Sequence, residues 1–121
     1  MANPNIVNVT AIYGKTIQAA LDTTLTTEIL ANSASSGKVY KINSILIANI
    51  DGASSADASV FITKSGGSPI AIANTIAVPA DATLSVIDKT NSFYLEEGDN
   101  IEAGASANGD LTITISYEDI S

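Results

Sequence analysis

Leu111-Thr112-Ile113-Thr114-Ile115-Ser116-Tyr117 decides the fold class of this 121-residue chain. Leu111, Ile113, Ile115 and Tyr117 share one face and Thr112, Thr114 and Ser116 the other, with β-branched residues from Thr112 to Ile115. Strict period-two alternation of this kind is a half-buried strand. It follows Asn108-Gly109, a dipeptide that readily takes positive φ in a two-residue hairpin turn. On the other side of that turn Ile101, Ala103, Ala105 and Ala107 repeat at the same period. The pattern therefore predicts a hairpin in which 100–107 pairs antiparallel with 110–118.

Working upstream, Val39 to Ile50 carries apolar residues on both faces at Ile45-Leu46-Ile47-Ala48, which predicts a central strand covered on both sides. It ends at Asp51-Gly52 and a Ser/Ala loop. Val60-Phe61-Ile62 forms the next strand and stops at Ser65-Gly66-Gly67-Ser68-Pro69. Ile70, Ile72, Ile76 and Val78 alternate with Ala and Thr as far as Pro79. Leu84-Ser85-Val86 and Phe93-Tyr94-Leu95 are short strands divided by Asp88-Lys89-Thr90-Asn91. Nearer the N-terminus, Ile6 to Ile12 alternates loosely, and Thr24 to Leu30 reads as a strand ending in the Asn32–Gly37 turn cluster. Residues 16–21 would make one helical turn in isolation, but their Thr-rich surroundings favour extended chain. Eight or nine short strands at regular spacing, with no helix, predict an all-β chain: one antiparallel β-sandwich or jelly roll. Residues 1–12 form an N-terminal arm or first strand, and 13–121 form the sandwich domain.

Composition then removes most chemistry. The chain has no His, Cys, Trp or Arg, and its five cations are Lys15, Lys38, Lys41, Lys64 and Lys89. The side chains commonly used for nucleophilic catalysis, transition-metal ligation and phosphate clamping are missing, so the expectation is a non-enzyme with no cofactor and no metal. Net charge is −8, and nine acids follow residue 80: Asp81, Asp88, Glu96, Glu97, Asp99, Glu102, Asp110, Glu118 and Asp119. Such a field repels nucleic acid and anionic membrane surfaces. Met1 to Asn5 has neither the basic nor the apolar region of a signal peptide, and Ile45 to Ile50 is too short to span a bilayer. Charged residues make up 15% of the chain, against about 25% in typical soluble domains. A surface so poor in charge fits one partly covered by other subunits.

Glu96-Glu97-Gly98-Asp99 with Glu102 is the one concentration of oxygen ligands. Its spacing is not that of an EF-hand loop, and adjacent acids on a turn are ordinarily solvated. Gly66-Gly67 lacks the Lys-Ser/Thr of a phosphate loop and precedes proline, so it reads as a turn. Lys38 and Lys41 flank Tyr40, either as an anion contact or as edge charges that discourage sheet-to-sheet aggregation. Of Tyr13, Tyr40, Tyr94 and Tyr117, at least two are expected to be core residues with the hydroxyl at the rim; tyrosine is also favoured at interfaces. Ala2–Asn8 lacks a compact-core pattern and reads either as a frayed end or as an arm that orders on a neighbouring subunit. The residues expected at an interface are Asn3, Pro4, Ile6, Val7, Val9, Tyr13 and Tyr40.

Three stretches in a fixed order carry a resemblance. Lys38-Val39-Tyr40-Lys41-Ile42-Asn43-Ser44-Ile45 runs into Ala48-Asn49-Ile50-Asp51-Gly52; Val78-Pro79-Ala80-Asp81 precedes Leu84; and Tyr94-Leu95-Glu96-Glu97-Gly98-Asp99-Asn100-Ile101 leads to Ala105-Ser106-Ala107-Asn108-Gly109-Asp110-Leu111 and Ile115-Ser116-Tyr117-Glu118. This order resembles small virion structural proteins of tailed bacteriophages, marine and cyanobacterial phages among them, over about residues 38–121. The resemblance brings no catalytic motif. It implies a capsid decoration (cement) protein on the outer surface of the head, synthesised in the host cytoplasm. Its partners would be the major capsid protein and further copies of itself, a trimer at local three-fold positions being the natural arrangement. The alternative it implies is a tail-located structural or receptor-binding module in a fibre, collar or baseplate. A carbohydrate-binding module is disfavoured by the missing Trp.

Overall fold

The computed structural model describes residues 4–121 and is all-β, with nine strands and a single 3-10 turn at Lys89–Asn91. The strands are β1 (Ile12–Ala20), β2 (Thr27–Ala31), β3 (Val39–Asn49), β4 (Ala56–Thr63), β5 (Ile70–Val78), β6 (Thr83–Ile87), β7 (Phe93–Leu95), β8 (Asn100–Ala105) and β9 (Leu111–Ile120). They form two antiparallel sheets packed face to face. One runs β1-β9-β3-β6, with β7 also pairing with β3; the other runs β2-β8-β4-β5. Residues 16–21 are extended, as the Thr-rich context predicts, and Ser65-Gly66-Gly67 is a turn closed by the Gly67 amide on the Lys64 carbonyl.

The core lies between the sheets and is built from unequal halves. Ile42, Ile45, Ile47, Leu95, Leu111, Ile113 and Ile115 fill the first sheet's inner face. Much of the facing surface is small: Ala56, Ala58, Ala103 and Ala105, with Val60 and Ile101. Large residues opposed to small ones fill the space between two sheets about 10 Å apart without voids.

The predicted 100–107/110–118 hairpin does not form. β8 pairs with β2 and β4, whereas β9 pairs with β1 and β3 in the other sheet. Alternation reports which side chains share a face, and here the two apolar faces meet across the interior instead of lying side by side. Gly109 does take a positive φ, 83°, but the connection spans residues 106–110 and crosses between sheets. Its backbone is held on both sides: the Ser106 amide donates to the Asp57 carbonyl, the Gly109 amide to that of Leu21, and the Ile50 amide to that of Asp110. The chain likewise changes sheet after β1, β2, β3, β5 and β7, so β4–β5 is the one hairpin of sequence-adjacent strands.

Two further expectations change. β3 is central, but only one face is covered, and Leu46 on the other face is exposed. A β-bulge between Ile42 and Ser44 keeps both Ile42 and Ile45 pointing inward, and this mimics a strand buried on both sides. Because β3 is central, Lys38 and Lys41 are not edge charges. The edges of the second sheet are β2, with Glu28, and β5, which carries no charge. Bulges in the pairing of β5 with β4 blunt that edge instead, with Thr75 at φ 55° donating its amide to the Ser59 hydroxyl at 3.0 Å.

Two buried asparagines clamp the sheets together at opposite ends. Asn32, just after β2, donates to the carbonyls of Lys38 and Leu95 at 2.9 and 3.0 Å. Asn49, the last residue of β3, donates to those of Ser54 and Val78 at 3.0 and 2.9 Å and accepts from the Asp51 amide. Each thereby ties one sheet to the other and fixes the loop between them.

Candidate interaction surface

One end of the first sheet gathers most of the predicted interface residues. β1 and the C-terminus are joined there by a backbone clamp: the Ser121 amide donates to the Ala11 carbonyl at 2.9 Å, and the Ala11 and Thr10 amides donate back to the Ser121 carbonyl. Paired strand positions then form two rows across β1, β9 and β3. Tyr13, Asp119 and Tyr40 are opposite one another, as are Ile12, Ile120 and Val39. The first row faces the mouth of the sandwich and the second faces outward.

At the mouth, Tyr40 lies against Tyr117 with ring centroids 4.9 Å apart. The two are packed and the other tyrosines, Tyr13 and Tyr94, are exposed. Asp119 is buried, and Lys15 and Lys38 converge on its Oδ2 at 2.8 and 3.3 Å. Burial opposes ionisation of Asp119, but the two ammonium groups outweigh it and hold the carboxyl below the usual aspartate range. The same hydrogen bond raises Lys15. Burial pushes the Tyr117 phenol up. This constellation holds three strands at their ends and contains no nucleophile with a base beside it.

Outward, the row is apolar. Val39 is 3% and Ile120 5% exposed, yet neither belongs to the core between the sheets. The arm borders the same place: Pro4 and Ile6 line a cleft of about 220 Å³ with Val39, Tyr94 and Glu96. The arm reaches this position through a turn at Asn5–Asn8. There the Asn8 amide donates to the Asn5 carbonyl at 3.0 Å, and the Val7 amide to the Asn5 side chain at 2.9 Å. Among the described residues no hydrogen bond joins 4–9 to the sandwich. Ile6, Val7, Ile12 and Tyr13 remain 51%, 92%, 52% and 61% exposed.

Of the expected interface residues, Tyr13 and Tyr40 thus lie at one end of the first sheet, with Tyr40 turned inward, and Pro4 and Ile6 line the cleft beside it; Val7 and Val9 are in the arm between, and Asn3 is outside the described residues. Tyr94, exposed, and Val39 and Ile120, buried on the outward side, lie at the same end and were not expected there. Their signal is visible in the sequence only as apolar residues at outward strand positions. The acidic loop is used internally. Asp99 is buried, accepts from the Ser65 and Glu96 amides at 2.9 Å, and pairs with Lys64, whose ammonium its hydrogen bond raises. Glu97 accepts from the Gly37 amide, and Glu102 from the Thr63 hydroxyl. No group of three or more His, Cys, Asp or Glu among the described residues is arranged to hold a metal ion. No protein-family model matches the chain, and no curated protein is significantly similar to it in sequence.

Proposed function

We propose that this chain is a non-enzymatic virion structural protein of a tailed bacteriophage: a decoration protein that binds the outer surface of the head as a symmetric homo-oligomer. The observation that carries the reading is the apolar end of the first sheet. An arm and an edge strand there present Ile6, Val7, Ile12 and Tyr13, each more than half exposed, side by side in the sequence segment 6–13. Clustered exposed apolar residues mark interaction sites, and the resemblance of residues 38–121 to phage virion proteins supplies the kind of partner, the major capsid protein. Many copies that bind the assembled shell and not its dissociated subunits stabilise the shell by mass action.

The test is to add purified protein to heads lacking it and follow binding and shell melting. The expected result is saturable binding with a rise in shell melting temperature, lost when residues 2–9 are deleted while the β circular dichroism is retained. Heads that neither bind the protein nor melt later overturn the reading. Binding to tails alone moves the protein to the alternative location.

A further inference from the structure

We infer that the arm is exchanged between copies: residues 4–9 of one chain occupy the Val39–Tyr94 cleft of a second. This rests on reading the arm as a contact element and names its receptor. The folded-back arm sets local preference against tertiary contact. Ile6 and Val7 are the two central residues of the Asn5–Asn8 turn, positions that favour Gly, Pro, Asn, Asp and Ser. β-Branched residues favour extended chain, and Ile6, Val7 and Val9 fall in a segment whose loose alternation reads as strand. The Val7 side chain at the apex gains no burial from the turn, since the residue is 92% exposed. Such conflict between local and global structure marks a segment with a second conformation.

Opening the turn gives six extended residues projecting beyond the Ala11–Ser121 clamp, a reach of about 20 Å. No hydrogen bond to the sandwich has to break. The vacated cleft then leaves Val39 uncovered. The occupant argued for is this same arm, because Pro4 and Ile6 already line the cleft with Val39 and Tyr94 in the closed chain. An identical arm from a neighbour makes identical contacts, which is why exchange of an element is a low-cost route to oligomers.

Val7 provides the test because its side chain touches little and the sandwich does not depend on it. Val7→Pro removes the amide that bonds Asn5 and pushes Ile6 out of the turn conformation, so it opens the arm. Val7→Asn suits the turn and closes it. The expected result in sedimentation is self-association about tenfold tighter for Val7→Pro than for Val7→Asn. The chain has no cysteine, so an Ile6→Cys/Tyr94→Cys double variant reports directly which cleft the arm fills. Disulfide-linked multimers on mild oxidation are expected; closure only within single chains overturns the exchange. So does a Val7→Pro protein that stays monomeric at about 100 μM. If that monomer still saturates heads, the exchange falls and the virion reading stands. If exchanging oligomers bind no heads, the reverse holds.

Discussion

Removing the Asn49 amide should separate the two sheets at one end. In Asn49→Ala the buried Val78 carbonyl loses its donor, and the Ser54 carbonyl and Asp51 amide lose partners in half-buried positions. An orphaned buried polar group costs about 1–3 kcal/mol, and a hydrogen bond that water can replace contributes about 0.5 kcal/mol or somewhat more. The sum is about 3 kcal/mol. For a domain of this size unfolding entropy is about 0.25 kcal/mol/K, so melting should fall by about 12 °C. Asn32→Ala, which frees the Lys38 and Leu95 carbonyls, should cost a similar amount. The two clamps are separated by the length of β3, about 35 Å, so the double variant should lose the sum of the two. The control is Asn43→Ala, whose side chain bonds only the Glu118 carboxylate and should cost under about 1 kcal/mol. Urea unfolding followed by far-ultraviolet circular dichroism measures all four. A loss below about 1 kcal/mol for Asn49→Ala, or equal losses for Asn43 and Asn49, refutes the clamp.

Asp119→Asn should cost about 2 kcal/mol near neutrality, from charge-assisted hydrogen bonds to Lys15 and Lys38. Because the folded-state pKa of Asp119 is depressed, its contribution is fully present above the unfolded value of about 3.9 and is lost as pH falls through the lower folded value. Lys15 is raised, so its share is present below about 10.4 and lost as pH rises through the raised value. The stability gap between wild type and variant should thus be flat from about pH 5 to 9 and close in strong acid; a gap that widens in acid contradicts this. Gly104→Ala places a Cβ 2.6 Å from the Thr24 carbonyl oxygen and nearer still to Leu25 Cα. It should cost at least about 2 kcal/mol in thermal melts; a neutral variant would show that the β1–β2 loop above β8 is loose. Ile12→Ser and Tyr13→Ser should change stability by no more than about 0.5 kcal/mol yet weaken head binding at least about tenfold in pull-down titrations. Undiminished binding would remove β1 from the contact surface.

The fold class was legible because alternation is strict in β9 and turn residues punctuate the rest. The pairing was not. Asn108-Gly109 has the chemistry of a tight hairpin, but the five-residue connection it sits in also bridges two sheets, and alternation is identical in both cases. The central position of β3 was legible and its open outer face was not, because a bulge at Ile42–Ser44 disturbs the period. Asn32 and Asn49 look like ordinary strand-end residues. Only tertiary structure shows that their amides close on carbonyls of the opposite sheet. At the candidate site, the arm residues and Tyr13 were singled out by missing core pattern and residue type. Val39, Tyr94 and Ile120 were hidden, because an apolar residue facing outward from one sheet has the same local sequence as one facing in.

Location in the particle bears most directly on the functional reading. On the proposed function the source is a tailed virus, whose heads and tails are separated and the protein counted in each by quantitative mass spectrometry. A decoration protein should be present in hundreds of copies on the head, in a fixed ratio to the major capsid protein. Absence from the head fraction would contradict it.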